Sequence, residues 1–365
     1  MVVPTGSWTG FPGWLKGRLA MTTARRPQAT PPDVEDIRRR AEGAAQQRLP
    51  GVRLRPLVAF TAGSSSLTYS AQVDGASVEH VVVKAAPAGL APVRNRDVLR
   101  QARVLRALAG VDGVLVPEIY GEHAGAPVEV PPLFVMEHVP GQSYEPRHTD
   151  LAEAPSDADA LSRAAKAARM LARMHAAPVA ELGLADEPVV SLVDEIERWR
   201  TAAGSVELSQ DVAALEQRVY DGLRAGIPEQ LPPAVLHGDW RLGNMQCEGP
   251  DILGVIDWEI WSVGDPRVDL AWMQLMAAPD HPSSIHPDAA MLSPDELAAE
   301  YESAAGFKLP ALDWFAALVR YKQAAASMLL VKNAAKRGDT DERWQRMGDN
   351  IAKLLAAGEV LLRAG

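Results

Sequence analysis

The stretch His237-Gly238-Asp239-Trp240-Arg241-Leu242-Gly243-Asn244 follows the apolar run 234–236. A buried strand therefore delivers an Asp and an Asn, five positions apart, onto one loop. Phosphoryl transfer asks for a carboxylate that accepts the proton of an attacking hydroxyl, and for an oxygen that ligates Mg²⁺ beside the phosphates. On that chemistry Asp239 is expected as the catalytic base and Asn244 as a metal ligand. Residues 245–247 and 252–256 then read as a hairpin. It returns the chain to Asp257-Trp258-Glu259, so Asp257 is expected as the principal metal ligand.

Outward from this island, 234–261, the pattern becomes helical. Helical periods run at about 157–176, 189–203 and 208–225 before it, and at 266–277, 295–304, 311–333 and 340–363 after it. Nearer the N-terminus the signal is different. Asp33 can cap a helix to about residue 49, because its side-chain oxygen satisfies orphan backbone donors. Short β-branched stretches at 54–60, 67–73 and 78–84, with Asp74-Gly75 as a turn, predict three antiparallel strands. A helix over 95–109 and strands at 118–123 and 133–137 complete a small β-rich lobe, 33–139. Pro140-Gly141 is the expected hinge to a larger helical lobe, 140–365. Residues 1–32 are expected to be a leader or disordered, with Met21 as an alternative start.

His-Gly-Asp-x4-Asn, followed by Ile256-Asp257-Trp258-Glu259 and by Gly264-Asp265-Pro266-Arg267-Val268-Asp269-Leu270-Ala271, resembles the aminoglycoside and choline kinase-like phosphotransferases. The resemblance covers about residues 54–330. It implies an α+β, bilobal protein-kinase-like fold and an ATP- and Mg²⁺-dependent kinase acting on a hydroxyl of a small molecule. The wording from Ile256 to Trp272 is similar to the subgroup associated with acyl-CoA dehydrogenases, so the acceptor could be aminoglycoside-like or hydroxyacyl-CoA-like. Two other readings stay open: a pseudokinase that binds nucleotide and regulates a partner, and a chain that carries a dehydrogenase label only by association.

The same resemblance assigns the small lobe. Gly63, Ser64, Ser65 and Ser66 lie between two predicted strands, as a loop over ATP phosphates would, since small residues let backbone amides approach anionic oxygens; a plain flexible turn is the other reading. Lys84 ends the apolar run Val81-Val82-Val83 and resembles the strand lysine of kinases, or it is a solvated strand-end lysine. Gln101 stands where a partner glutamate is expected, with Asp97 one turn earlier as a substitute. Glu137 and His138 resemble the interlobe segment whose backbone pairs with adenine, or they form a buried edge strand. Asp265 and Asp269 are expected to brace the catalytic loop, with a helix cap as the other reading for Asp265. His237, His175, Cys247 and the Trp and Met residues around 258–276 are expected to be structural.

Composition narrows the classes. Thirty-seven basic against 47 acidic residues give a net charge of -10, which disfavours a protein that works by neutralising nucleic-acid phosphates. Cys247 is the single cysteine, so one chain builds no internal disulfide and no cysteine-based zinc cluster. With no long apolar run and no secretory h-region, a cytoplasmic monomer or homodimer with no membrane partner is expected.

Overall fold

A computed structural model describes residues 33–60, 66–150, 152 and 154–364. The expected leader 1–32 and the loop residues Gly63, Ser64 and Ser65 lie outside the described residues. Helix α1 (Val34–Ala45) opens at Asp33, whose carboxylate accepts from Asp36 N at 3.0 Å. It buries Ile37, Ala41 and Ala45, one residue per turn, against the sheet.

That antiparallel sheet holds β1 (Arg53–Leu54), β2 (Val58–Ala59), β3 (Leu67–Asp74), β4 (His80–Ala85), β5 (Ile119–His123) and β6 (Leu133–Glu137). Its order is β1-β3-β4-β6-β5, with β2 also paired to β3. The single strand expected over 54–60 is two short ones. Pro56 lacks an N–H and interrupts the ladder, although Arg55 N still reaches Gln72 O at 3.0 Å. Helix α2 (Val98–Leu108) starts three residues later than expected, because Asp97 is its N-cap and accepts from Arg100 N. Gly141, at φ +101°, lies where a Cβ would stand 2.6 Å from Cys247 O. The chain then forms a bridge between Gln142 and Cys247, so the expected hinge is tied to the second lobe by backbone hydrogen bonds.

The second lobe carries α3 (Asp157–Ala176), α4 (Leu192–Gly204), α5 (Gln210–Ala225), α6 (Arg267–Ala277), α7 (Pro294–Ala305), α8 (Leu312–Arg337) and α9 (Glu342–Ala364). Helix α8 buries Trp314, Phe315, Leu318, Val319 and Tyr321 around its circumference, which marks it as the central helix. Helix α9 packs along it. Two small ribbons carry the island: β7 (Ala234–Leu236) pairs with β10 (Ser262–Gly264), and β8 (Met245–Glu248) pairs with β9 (Asp251–Val255). The expected α+β, two-lobed architecture is the one observed. None of the described helices is long and apolar enough to cross a membrane.

Candidate active site

Strand β7 delivers His237, Gly238 and Asp239 into a turn that must reverse sharply. Gly238 adopts φ +86°, and a Cβ there would lie 2.8 Å from Ile260 O. Behind the turn, the fully buried Asp269 on α6 accepts from His237 N at 2.6 Å and from Gly238 N at 2.9 Å. The His237 ring adds two ties: Nε2 donates to Ile256 O at 2.9 Å, and Nδ1 accepts from Asp239 N at 3.2 Å. Burial works to raise the Asp269 pKa, but the His175 ring, whose Nε2 lies 3.6 Å away, and the Lys322 ammonium hold it below the ordinary carboxylate value.

Asp239 is therefore placed by its backbone, and its carboxylate is then crowded with donors. Trp272 Nε1 reaches Oδ1 at 2.6 Å and Asn244 Nδ2 reaches Oδ2 at 2.8 Å. Arg241 Nε lies 3.2 Å from both oxygens. Asn244 closes a 3-10 turn (Leu242–Asn244), and its carbonyl accepts from Ile256 N at 2.9 Å. The residue before Asp257 is thus pinned to Asn244. Asp257 itself takes φ +67°, a left-handed conformation unfavourable for a residue with a Cβ. Its side chain stays 45% exposed and meets Lys84 Nζ at 3.3 Å.

Lys84 sits on β4 between β3 and β6, opposite Thr68 and Phe134, and is 7% exposed. A solvated strand-end lysine is ruled out. Its other partner is Gln101 Oε1 at 3.2 Å, a dipole in place of a countercharge. Asp97 is occupied as the α2 cap and does not serve as the substitute partner. Replacing Asp97 with Ala should cost about 1 kcal/mol of helix stability and leave nucleotide affinity unchanged. Gln101→Ala should weaken that affinity by a few-fold, as a titration with a fluorescent nucleotide would show.

Ser66, the described end of the loop, is buried at the start of β3. Glu137 pairs with Val81, three ladder positions from Lys84 and so roughly 10 Å along the strand. Its carboxylate accepts from Glu118 N, and the exposed His138 ring lies 5.6 Å from that of His80. Strand β6 is paired on both sides, so the edge-strand reading fails. Asp265 does not brace the catalytic turn. It binds Arg267 through Nε at 2.9 Å and a terminal nitrogen at 2.7 Å, both side chains being fully buried, and accepts from Leu231 N. Burial pushes the Cys247 thiol up to about 11.

Three residues that the sequence pattern did not mark complete the site. Lys322 on α8 is buried; its Nζ donates to Gly238 O at 2.6 Å and lies 4.6 Å from the Trp272 ring. Burial pushes its pKa below the usual lysine value, with Glu195, Asp269 and Asp239 opposing. Trp272, expected as core, is the indole that holds Asp239. Glu145, 3% exposed, accepts from Gly243 N at 2.8 Å and lies 3.6 Å from Arg241. Burial outweighs Arg241 and raises its carboxyl to about 7.

That rise has a stability consequence of definite sign. Between pH 4.5 and about 7 the folded chain keeps a proton on Glu145 that the unfolded chain releases, so stability falls as pH rises through this window. Glu145→Gln should remove a penalty of up to about 3 kcal/mol at pH 8, at about 1.4 kcal/mol per pH unit, and almost none at pH 4.5. Urea melts of both proteins at the two pH values check it; an equal effect at both would contradict it.

The profile of the phosphotransferase enzyme family (APH) matches residues 56–318, which takes in every residue of this cluster except Lys322. The chain belongs to the phosphotransferase enzyme family. Among curated relatives, this phosphotransferase is 30% identical over 186 residues to viomycin phosphotransferase of Streptomyces vinaceus, covering 47% of the chain and 60% of that protein. It is 27% identical over 281 residues to the Arabidopsis thaliana protein IBR3, a probable acyl-CoA dehydrogenase, covering 70% of the chain but 33% of the relative. The match thus spans about a third of that relative. Among solved structures, a Ralstonia eutropha protein described as a candidate aminoglycoside phosphotransferase superposes with a TM-score of 0.73 at 22% identity, covering 87% of this chain and 96% of that one. The phosphotransferase therefore has the bilobal kinase-like fold.

Proposed function

We propose that the chain transfers the γ-phosphate of ATP to a hydroxyl of a small metabolite, aminoglycoside-like or hydroxyacyl-CoA-like. The carrying observation is the meeting of groups from two lobes. Lys84 from the sheet contacts Asp257, and Asp257 follows directly on Ile256, which is hydrogen-bonded to Asn244, itself bonded to Asp239. In this reading the nucleotide is held by 33–139, with Lys84, Ser66 and its preceding Gly-Ser loop on the phosphates and the Glu137–His138 backbone on the base. The acceptor is held by 140–365.

Asp239 orients the acceptor hydroxyl and takes its proton, while Lys84 and Arg241 supply positive charge where negative charge gathers. Mg²⁺ fits the residues present, because it favours one or two protein oxygens completed by phosphates and water. Asp257 offers a half-exposed carboxylate. Asn244 donates its amide N–H groups to Asp239, which leaves its amide oxygen as the group able to ligate. Bound there, the ion would neutralise phosphate charge. Gln101 favours a second reading, a nucleotide-binding regulator, because it gives Lys84 no countercharge; Asp257 supplies one instead.

ATP consumption against aminoglycosides, choline, homoserine and hydroxyacyl-CoAs, with a matched no-acceptor control, separates these readings. Turnover with one acceptor class is expected. Tight nucleotide binding without turnover on the whole panel would favour the regulator, and a yellow, flavin-bearing preparation would contradict both.

A further inference from the structure

A carboxylate offers about four acceptor positions, and in Asp239 all of them face a donor. Trp272 approaches Oδ1, Asn244 approaches Oδ2, and Arg241 Nε forks across the pair. An acceptor hydroxyl cannot be oriented by this carboxylate until one donor withdraws. Trp272 is fixed on α6, and Asn244 is fixed in the turn by a second bond to Asp239 O at 2.9 Å. Arg241 makes the longest contacts of the three and has somewhere else to go. Its guanidinium already lies 3.6 Å from the buried Glu145, which the Gly243 amide holds in place. Space is reserved for it as well, since a Cβ on Gly243 would sit 2.0 Å from an Arg241 terminal nitrogen.

We propose that Arg241 is a movable clamp: it chelates Asp239 until the phosphates draw it off, and it then holds the phosphoryl group in flight while Glu145 anchors the other side of the guanidinium. This rests on the phosphotransfer reading above. In the step itself, a bond forms between the acceptor oxygen and the γ-phosphorus of ATP. The bond from that phosphorus to the bridging oxygen breaks, its electron pair leaves with ADP, and the hydroxyl proton passes to the oxygen of Asp239 that Arg241 vacated. Arg241 is thereby a catalytic residue and Glu145 a positioning residue. Burial works against the guanidinium charge, but Asp239 and Glu145 more than compensate, so it remains a cation throughout. A guanidinium suits this exchange, because one N–H, Nε, spans both oxygens of Asp239 and the terminal N–H groups stay available for a planar fork on phosphate.

The test needs no acceptor. Affinities of the full chain for Mg·AMP-PNP, and for Mg·ADP with and without aluminium fluoride as a mimic of the transferring phosphoryl, are measured by calorimetry for wild type, Arg241→Met, Arg241→Lys and Glu145→Gln. Wild type should gain more than about tenfold from aluminium fluoride, by analogy with other arginines that act only in the transition state. Arg241→Met should lose that gain and keep Mg·AMP-PNP affinity within about threefold, since uniform binding is not what the residue supplies. Arg241→Lys, which keeps the charge without the fork and serves if the Met variant does not fold, should retain part of the gain. Glu145→Gln should lie between wild type and Arg241→Met.

Full retention of the gain in Arg241→Met, an equal loss of both affinities, or no gain in wild type would each overturn the clamp. A wild-type chain that binds no Mg·AMP-PNP fails at an earlier point: it removes the phosphotransfer reading, and the clamp with it.

Discussion

Asp239→Asn is expected to lower turnover on the true acceptor by about 10²- to 10⁴-fold while leaving Mg·ATP affinity within about threefold. That loss corresponds to roughly 3–5 kcal/mol of transition-state stabilisation. The substitution is nearly isosteric, and its amide oxygen can still accept from Trp272, so the turn held by Asp269 and His237 should survive. What disappears is the ability to take a proton, together with half of the charge pair with Arg241. Steady-state kinetics and calorimetry on the same preparation separate the two quantities. Wild-type turnover in the variant would exclude Asp239 as the base. A parallel collapse of nucleotide affinity would mean that the turn had been lost instead.

The candidate cluster was legible in the sequence where chemistry and chain proximity coincide. Asp239 and Asn244 share one turn, a short hairpin returns Asp257 to it, and Lys84 ends an apolar run that reads as a strand. Glu145, Trp272 and Lys322 were not legible. Each reaches the turn from a different segment; Glu145 and Lys322 stand in no pattern that separates them from ordinary buried or helical residues, and Trp272 reads as core although it closes the wording that begins at Ile256. Asp265 shows the opposite error. Its spacing matches that of a brace, yet the fully buried Arg267 two positions on captures both of its oxygens. Among the elements, Pro56 split a strand, and β10 is three residues long, too short for periodicity to register. The lobes themselves were readable because β-branched alternation gives way to helical spacing just after the segment at Gly141.

Asp269→Ala should destabilise the fold by about 2–6 kcal/mol, because its buried carboxylate serves twice as a hydrogen-bond acceptor. Two buried backbone N–H groups, those of His237 and Gly238, would lose their acceptor, at about 1–3 kcal/mol each. The buried Lys322 would also lose one of the carboxylates that oppose the lowering of its pKa. Asp269→Asn should fall between, because its amide oxygen can still accept from one of the two N–H groups. The pH dependence distinguishes lost charge from lost packing. A carboxyl held below its ordinary 3.8 stabilises the folded chain above that value, and the contribution fades as pH falls toward the lowered folded value, where the unfolded chain binds the proton first. Wild type should therefore lose stability more steeply than Asp269→Asn as pH drops below about 4.5. Urea denaturation of the two proteins from pH 6 to the lowest pH at which both remain folded measures that difference in slope. Parallel slopes would show that Asp269 acts at the catalytic turn through shape alone.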